Sequence, residues 1–423
     1  MHGDPPEHLA LPGDEESVFV RILIAGGGTA GHLFPAIALA QELRSRFPDS
    51  ALLFVGAEGG IEASLLAKGG WDFEGIRTSG LQGKRLPQRL RSLALIPSGL
   101  VQSRSILRRF FPDAVVGLGG YASVAMVLAG VLARIPTIIH EQNAFPGLAN
   151  RRLGRIVDLV AIAFEWTSVF FPKGKVRVTG NPVRTELFGV DRVAAATRLG
   201  LDPDQFTLLI FGGSQGAHRL NQAVLEALPL LEADRGHLQF LHSTGSHDLG
   251  QVRCGYQASG HRAVVEPFFW EMALVYAAAD LCLCRAGAST VAELCALGKP
   301  SILAPFPFAA NDHQRWNAEA LVATGGAHML LDSKLNGADV AEIVRSFLRD
   351  RGLIETMGQR AKALATPGAA SRLADLIVLA ARQVPGAKFK DCSKFQVPGS
   401  MLKKRSSHTW NPEPGTWNCE EHV

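Results

Sequence analysis

Residues 20–43, VRILIAGGGTAGHLFPAIALAQEL, and residues 206–231, FTLLIFGGSQGAHRLNQAVLEALPLL, share one layout. Each is an apolar run, a glycine-rich turn, a histidine and an amphipathic helix. Near-continuous apolar strands that alternate with helices pack into a parallel sheet covered on both faces. Further runs of that kind stand at 51–56, 114–120 and 135–140, and again at 238–245, 264–268, 281–287 and 301–307. A chain of 423 residues is two to three times the usual domain of about 100–200. The repeat therefore predicts an α/β protein of two Rossmann-like domains facing across a cleft, joined near Gly180–Arg184. The expected boundaries are a loose tail at 1–17, a first domain at 18–182, a second at 183–367, a last amphipathic helix at 368–383 and a disordered tail at 384–423.

Composition narrows the function classes. Lys and Arg total 43 against 39 Asp and Glu, and a balance of +4 demands no nucleic-acid partner. Six cysteines without a CxxC pair, four of them in apolar segments, read as buried free thiols in a reducing compartment. Residues 1–17 are acidic and Pro-rich without an apolar core, so no secretory leader is expected. Apolar runs break well before the 18 or so residues of a membrane span.

Five loops carry chemistry. Gly26-Gly27-Gly28-Thr29-Ala30-Gly31-His32 opens a helix, where glycines let an anion approach the backbone and the helix start supplies N–H donors. It also fits a dinucleotide fingerprint, with Glu58 ending the next strand. Gly212–Gly216 is the corresponding second loop, where Ser214 either donates to a phosphate or caps the following helix. In Arg285–Glu293, Thr290 and Glu293 have capping-box spacing, so Glu293 either closes its own helix or grips a vicinal diol. Asn311–Asn317 suits recognition of sugar hydroxyls, and His140–Gly147 places a His-Glu pair and amides at a strand end. Residues 75–112 hold eight basic side chains and no acidic one, interleaved with aliphatics, a pattern that suits an anionic membrane surface.

Taken in order, GGGTAGHLFPAIALA (26–40), GLGGYAS (117–123), HEQNAFPGLANR (140–151), TGNPVR (179–184), FGGSQGAHRLN (211–221), RAGASTVAEL (285–294) and DHQRWNA (312–318) resemble the MurG family of GT-B glycosyltransferases. The resemblance spans roughly 20–382 and leaves no place for the dinucleotide reading. It implies an inverting transfer of N-acetylglucosamine from UDP to the C4 hydroxyl of undecaprenyl-diphosphate-linked N-acetylmuramoyl-pentapeptide, lipid I becoming lipid II. It also implies a peripheral location on the cytoplasmic face of the cell membrane.

Carried over by position, Thr29, Ala30 and Gly31 reach the donor site, Asn143 and Arg184 contact the donor, and Ser214 contacts its diphosphate. Phe269 holds the uracil through its backbone. Ala288, Ser289, Thr290, Val291, Ala292 and Glu293 form the nucleotide-binding helix start, with Glu293 on the ribose, and Gln314 reads the sugar. His32 is the preferred general base and Glu141 the reserve. No cofactor and no metal are expected. Two rivals share parts of this pattern: a UDP-N-acetylglucosamine 2-epimerase, and a non-enzymatic binder of the lipid carrier.

Overall fold

The computed structural model describes residues 19–382 apart from 29, 60 and 79–85. Both tails, at 1–17 and 384–423, lie outside the described residues. The first half supplies strands β1 (Arg21–Ala25), β2 (Ala51–Ala57), β3 (Phe73–Ile76), β4 (Ala114–Gly117), β5 (Thr137–Glu141), β6 (Leu159–Ile162) and β7 (Val176–Val178). The second half supplies β8 (Phe206–Phe211), β9 (Leu238–Ser243), β10 (Ala263–Glu266), β11 (Leu281–Cys284), β12 (Ser301–Leu303) and β13 (Ala327–Met329).

They form two all-parallel sheets, ordered β3-β2-β1-β4-β5-β6-β7 and β10-β9-β8-β11-β12-β13. Both run outward from a central first strand, so the two halves are the same doubly wound design. The central strands are apolar because both faces are covered: every residue of FTLLIF in β8 is buried. Registers such as Ala25↔Gly117 and Cys284↔Phe211 bring the C-terminal strand ends and their glycine turns to one edge of each sheet.

Four short strands were not foreseen. β3 (FEGI) and β7 (VRV) lie at sheet edges and are only partly buried, so neither carries a continuous apolar run. β6 and β13 have four and three residues, too short for periodicity to register. The first helix, Ala30–Arg46, also starts earlier than the apolar spacing from Pro35 suggests. The last helix, Ala369–Arg382, lies against it: Arg46 pairs with Asp375 at 2.6 Å, and Arg372 donates to Thr179 O at 2.9 and 3.1 Å.

Cys282, Cys284 and Cys295 are buried free thiols, and burial pushes Cys282 and Cys295 up to about 12. Cys254 departs from the expectation: it sits on the solvent side of helix Leu249–Ser259 and is exposed. No described helix is long and apolar enough to cross a membrane.

Candidate active site

The first glycine loop is held from inside. Glu62, fully buried, accepts from Gly28 N at 3.0 Å and Ala57 N at 3.1 Å. Gly27, at φ +151°, leaves room for that carboxylate; a Cβ there would lie 2.2 Å from its Oε1. Glu58, the acid a dinucleotide site would use, instead points outward and pairs with Arg77 at 3.2 Å. One backbone donor of the loop, Gly28 N, is thus already given to a carboxylate, which agrees with setting aside the dinucleotide reading.

His32 stands at the end of this loop. Its Nδ1 is 3.3 Å from Gly27 O, and a carbonyl only accepts, so Nδ1 carries the proton and Nε2 is the basic nitrogen. Burial holds the imidazole below its usual range, and a charge on nearby His313 would lower it further. It is therefore neutral near pH 7. Thr29 lies outside the described residues, as does the Ala30 side chain.

Glu141 serves its own loop. Oε1 accepts from Asn143 N and Nδ2, both at 3.0 Å, and Oε2 from Gly147 N at 3.2 Å and Asn150 Nδ2 at 2.9 Å. Burial pushes its carboxyl up while these four donors pull it back. Its neighbour His140 donates Nε2–H to Gly180 O at 2.9 Å and, depressed to about 4 by burial, stays neutral.

In the second domain the capping alternatives fall away. Helix His218–Leu230 has Ala217 at its N-cap, three residues beyond Ser214, so Ser214 does not cap it. Helix Ala288–Leu297 has Gly287 as N-cap, which puts Glu293 at the sixth helical position rather than the third. Its carboxylate is buried instead between Arg184 Nη2 at 3.1 Å and the Tyr276 hydroxyl at 3.0 Å. Burial raises its pKa and the Arg184 charge opposes that shift. Arg184 in turn lies 3.9 Å from the centre of the Phe34 ring, across the cleft.

Gln314 Oε1 accepts from Phe306 N at 2.9 Å and Ala286 N at 3.2 Å, which fixes the orientation of its amide. Phe269 is buried in the second-domain core, just beyond β10. Ala288, Val291 and Ala292 line a cavity of about 350 Å³ behind the helix start, with Asn181, Val183 and Leu364.

Sequence reasoning missed the cross-cleft links made by Ser289 and Asn317. Ser289 Oγ donates to Gly31 O at 2.6 Å. Pro35 has no N–H to return to the Gly31 carbonyl four residues before it, so that oxygen is left for the serine. Asn317, fully buried, accepts from Ala144 N at 2.8 Å and donates to Asn143 Oδ1 at 3.1 Å and Ala286 O at 3.2 Å. Its partners are 31 to 174 residues away, beyond any local sequence signal. The chain's only Asp-x-Asp, Asp202–Asp204, precedes β8 at the opposite sheet edge, where Asp202 bonds Asp204 N and the Gln205 amide.

Two sheets meeting through their glycine turns, with a neutral histidine on one side and a buried Glu–Arg–Tyr group on the other, form the cleft of a two-domain sugar-nucleotide enzyme. The glycosyltransferase family 28 N-terminal domain matches residues 22–162 and the family 28 C-terminal domain residues 207–373. The chain belongs to glycosyltransferase family 28.

Within it, the relatives are named UDP-N-acetylglucosamine–N-acetylmuramyl-(pentapeptide) pyrophosphoryl-undecaprenol N-acetylglucosamine transferase, the MurG enzymes. Those of Geobacter sp. (strain M21) and Myxococcus xanthus (strain DK1622) are each 46% identical, over 85% of this chain and 96% and 92% of their own. The crystal structure of Acinetobacter baumannii MurG is 29% identical with TM-score 0.63, over 85% of this chain and 99% of that one. A Neisseria meningitidis UDP-GlcNAc 2-epimerase, 16% identical with TM-score 0.60, shares the fold over 86% of this chain and 99% of its own.

Proposed function

We propose that the chain transfers N-acetylglucosamine from its UDP donor to the C4 hydroxyl of undecaprenyl-diphosphate-N-acetylmuramoyl-pentapeptide, with inversion. The observation that supports this reading is the Ser289–Gly31 bond, which joins the loop that ends at His32 to the first turn of helix Ala288–Leu297. The acceptor hydroxyl gives its proton to His32 Nε2 as its oxygen bonds the sugar C1, and the C1–O bond to the diphosphate breaks on the opposite face. Charge develops on the leaving UDP. Unpaired N–H groups at the starts of helices Ala288–Leu297 and His218–Leu230, with Ser214, meet it without a metal.

Glu293 accepts the ribose diol beside Arg184, Phe269 holds the base through its backbone, and the amide end of Gln314 meets the sugar. Asn143, held by Glu141 and Asn317, completes the donor site from the first domain, and Glu141 is a positioning residue rather than the base. Residues 18–182 with the last helix form the acceptor side and 183–367 the donor side.

The acceptor side docks on the anionic inner leaflet through 75–112. Val101 and Phe111 are exposed there, which supports the reading, while Arg77 and Arg109 are paired with Glu58 and Glu74 and offset part of the charge. Reversing Arg89, Arg91 and Arg104 to Glu should release the protein from anionic vesicles at low salt, at about 1 kcal/mol per residue. Activity on a short soluble acceptor should survive. Equal pelleting of both proteins would remove the docking surface and leave the transferase assignment standing.

The defining assay follows UDP release from UDP-N-acetylglucosamine with and without a lipid I analogue. Acceptor-dependent release is expected. A new UDP-sugar formed without acceptor would establish the epimerase instead.

A further inference from the structure

Two histidines converge on one buried carboxylate at the start of helix His218–Leu230, and none of the three side chains has a role in the transfer proposed above. His218 begins helix His218–Leu230, and His247 and Asp248 end the turn after β9. His218 Nδ1 lies 3.0 Å from each oxygen of Asp248, and His247 Nδ1 lies 2.9 Å from its Oδ1. One donor atom from each of the three side chains lies within 4.8 Å of the others. Metal bonds of about 2.0–2.1 Å to imidazole nitrogen and carboxylate oxygen separate neighbouring donors by about 3 Å. The two histidine-to-carboxylate distances already have that size, and the three donors together lie within 4.8 Å.

The carboxylate is held in place from behind. Asn221 Nδ2 donates to Asp248 Oδ2 at 2.8 Å and to Thr244 O at 2.9 Å, so its Oδ1 is an acceptor. His242 Nε2, 3.0 Å from that oxygen, must therefore carry the ring proton, and its Nδ1 accepts from the Tyr256 hydroxyl at 3.1 Å. Asn221, His242 and Tyr256 are all buried, and desolvation depresses His242 to about 3, keeping it neutral. This chain of buried groups fixes one acidic side chain so that it faces two exposed imidazoles. Buried partners that orient a ligand are characteristic of metal centres.

We propose that His218, His247 and Asp248 bind a zinc-class divalent ion. Two imidazoles and a carboxylate select zinc, cobalt or nickel over calcium and magnesium, which prefer all-oxygen sets. On binding, each imidazole presents Nδ1 to the ion and carries its ring proton on Nε2, and the ion takes the place of the N–H···O contacts to Asp248. Three protein ligands leave at least one position for water. The ion would clip the start of helix His218–Leu230 to the turn after β9. These segments already pack so closely that a Cβ at Gly216 would lie 2.1 Å from Thr244 O.

Cobalt(II) titration of the full chain, followed in the visible range, tests the site, with zinc-dependent thermal shift in parallel. The expected result is one equivalent showing weak d–d bands without a thiolate charge-transfer band, and a melting temperature raised by zinc. His218→Ala and His247→Ala alter exposed side chains and should each weaken binding tenfold or more. Asn221→Ala should weaken it while leaving all three ligands in place. The tail carries Cys392, His408, Cys419 and His422, so an equivalent with thiolate bands, or one retained in the His218→Ala/His247→Ala double variant, would overturn the assignment. So would the absence of binding at millimolar ion, which would leave the two histidines as plain hydrogen-bond partners of Asp248.

Discussion

The two glycine loops begin from nearly the same sequence and are finished differently. In GGGTAGH a carboxylate from within the domain, Glu62, takes the N–H of Gly28, and the loop's reactive product is a histidine with a defined tautomer. In GGSQGAH, Gly213 opens onto free space and Ser214 lies ahead of an uncapped helix start. One loop is closed on its own anion; the other leaves its helix start without a side-chain cap. A strand–glycine–helix turn is thus only a frame, and the residue that arrives in front of it decides which of its backbone donors stay open.

The largest test of this contrast is at the first loop. His32→Ala should lower kcat by about 10²–10⁴-fold with little change in donor KM, as loss of a general base does. In the parent the lowered His32 pKa keeps the base unprotonated below the usual imidazole value of about 6.5. The rate should therefore hold as pH falls through that value and decline only below it. A profile that breaks at or above it would remove His32 as the base.

On the donor side the effect should appear in binding. Charged hydrogen bonds to two ribose hydroxyls are worth about 1.5–3 kcal/mol each, so Glu293→Ala should raise donor KM at least tenfold. A normal donor KM with early melting would make Glu293 a structural partner of Arg184 and Tyr276 only. Glu62→Ala strips two backbone donors of their acceptor and should cost about 1–3 kcal/mol of stability, read in denaturant melts, with UDP affinity unchanged. UDP binding gained at the first loop would show that the carboxylate alone separates the two loops. The smallest effect belongs to Ser214→Ala: a loss of about 0.5–1.5 kcal/mol in donor affinity with an unchanged melting temperature, since Ala217 is the N-cap. A lower melting temperature with normal affinity would restore the capping role.

Much of this architecture was legible because parallel strands buried on both faces write themselves as apolar runs, as β1, β8 and β11 do. β7 and β13, three residues each, have no room for such a signature. The spacing of Thr290 and Glu293 pointed to a capping box because helix starts are set by backbone geometry; Gly287 begins the helix three residues earlier than that spacing implies. Glu62 and Asn317 were invisible for a different reason. Their meaning lies in partners from other elements, and an acid in IEASLLAK or an amide in DHQRWNA carries no local mark of them. The ordered blocks, by contrast, pointed to the family without any geometry.

The bond from Ser289 to the Gly31 oxygen gives Pro35 a role beyond shaping its helix. An ordinary helical residue at 35 would offer its own N–H to that carbonyl, and the second domain would find it occupied. With proline there, the oxygen is left to accept from the serine of the second domain. The first domain thereby carries half of a clasp in its backbone, out of reach of side-chain drift. Parting the halves at this point would exchange one hydroxyl for a solvent molecule, while the Asn317 bonds to Ala144 N and Asn143 Oδ1 would have to break separately.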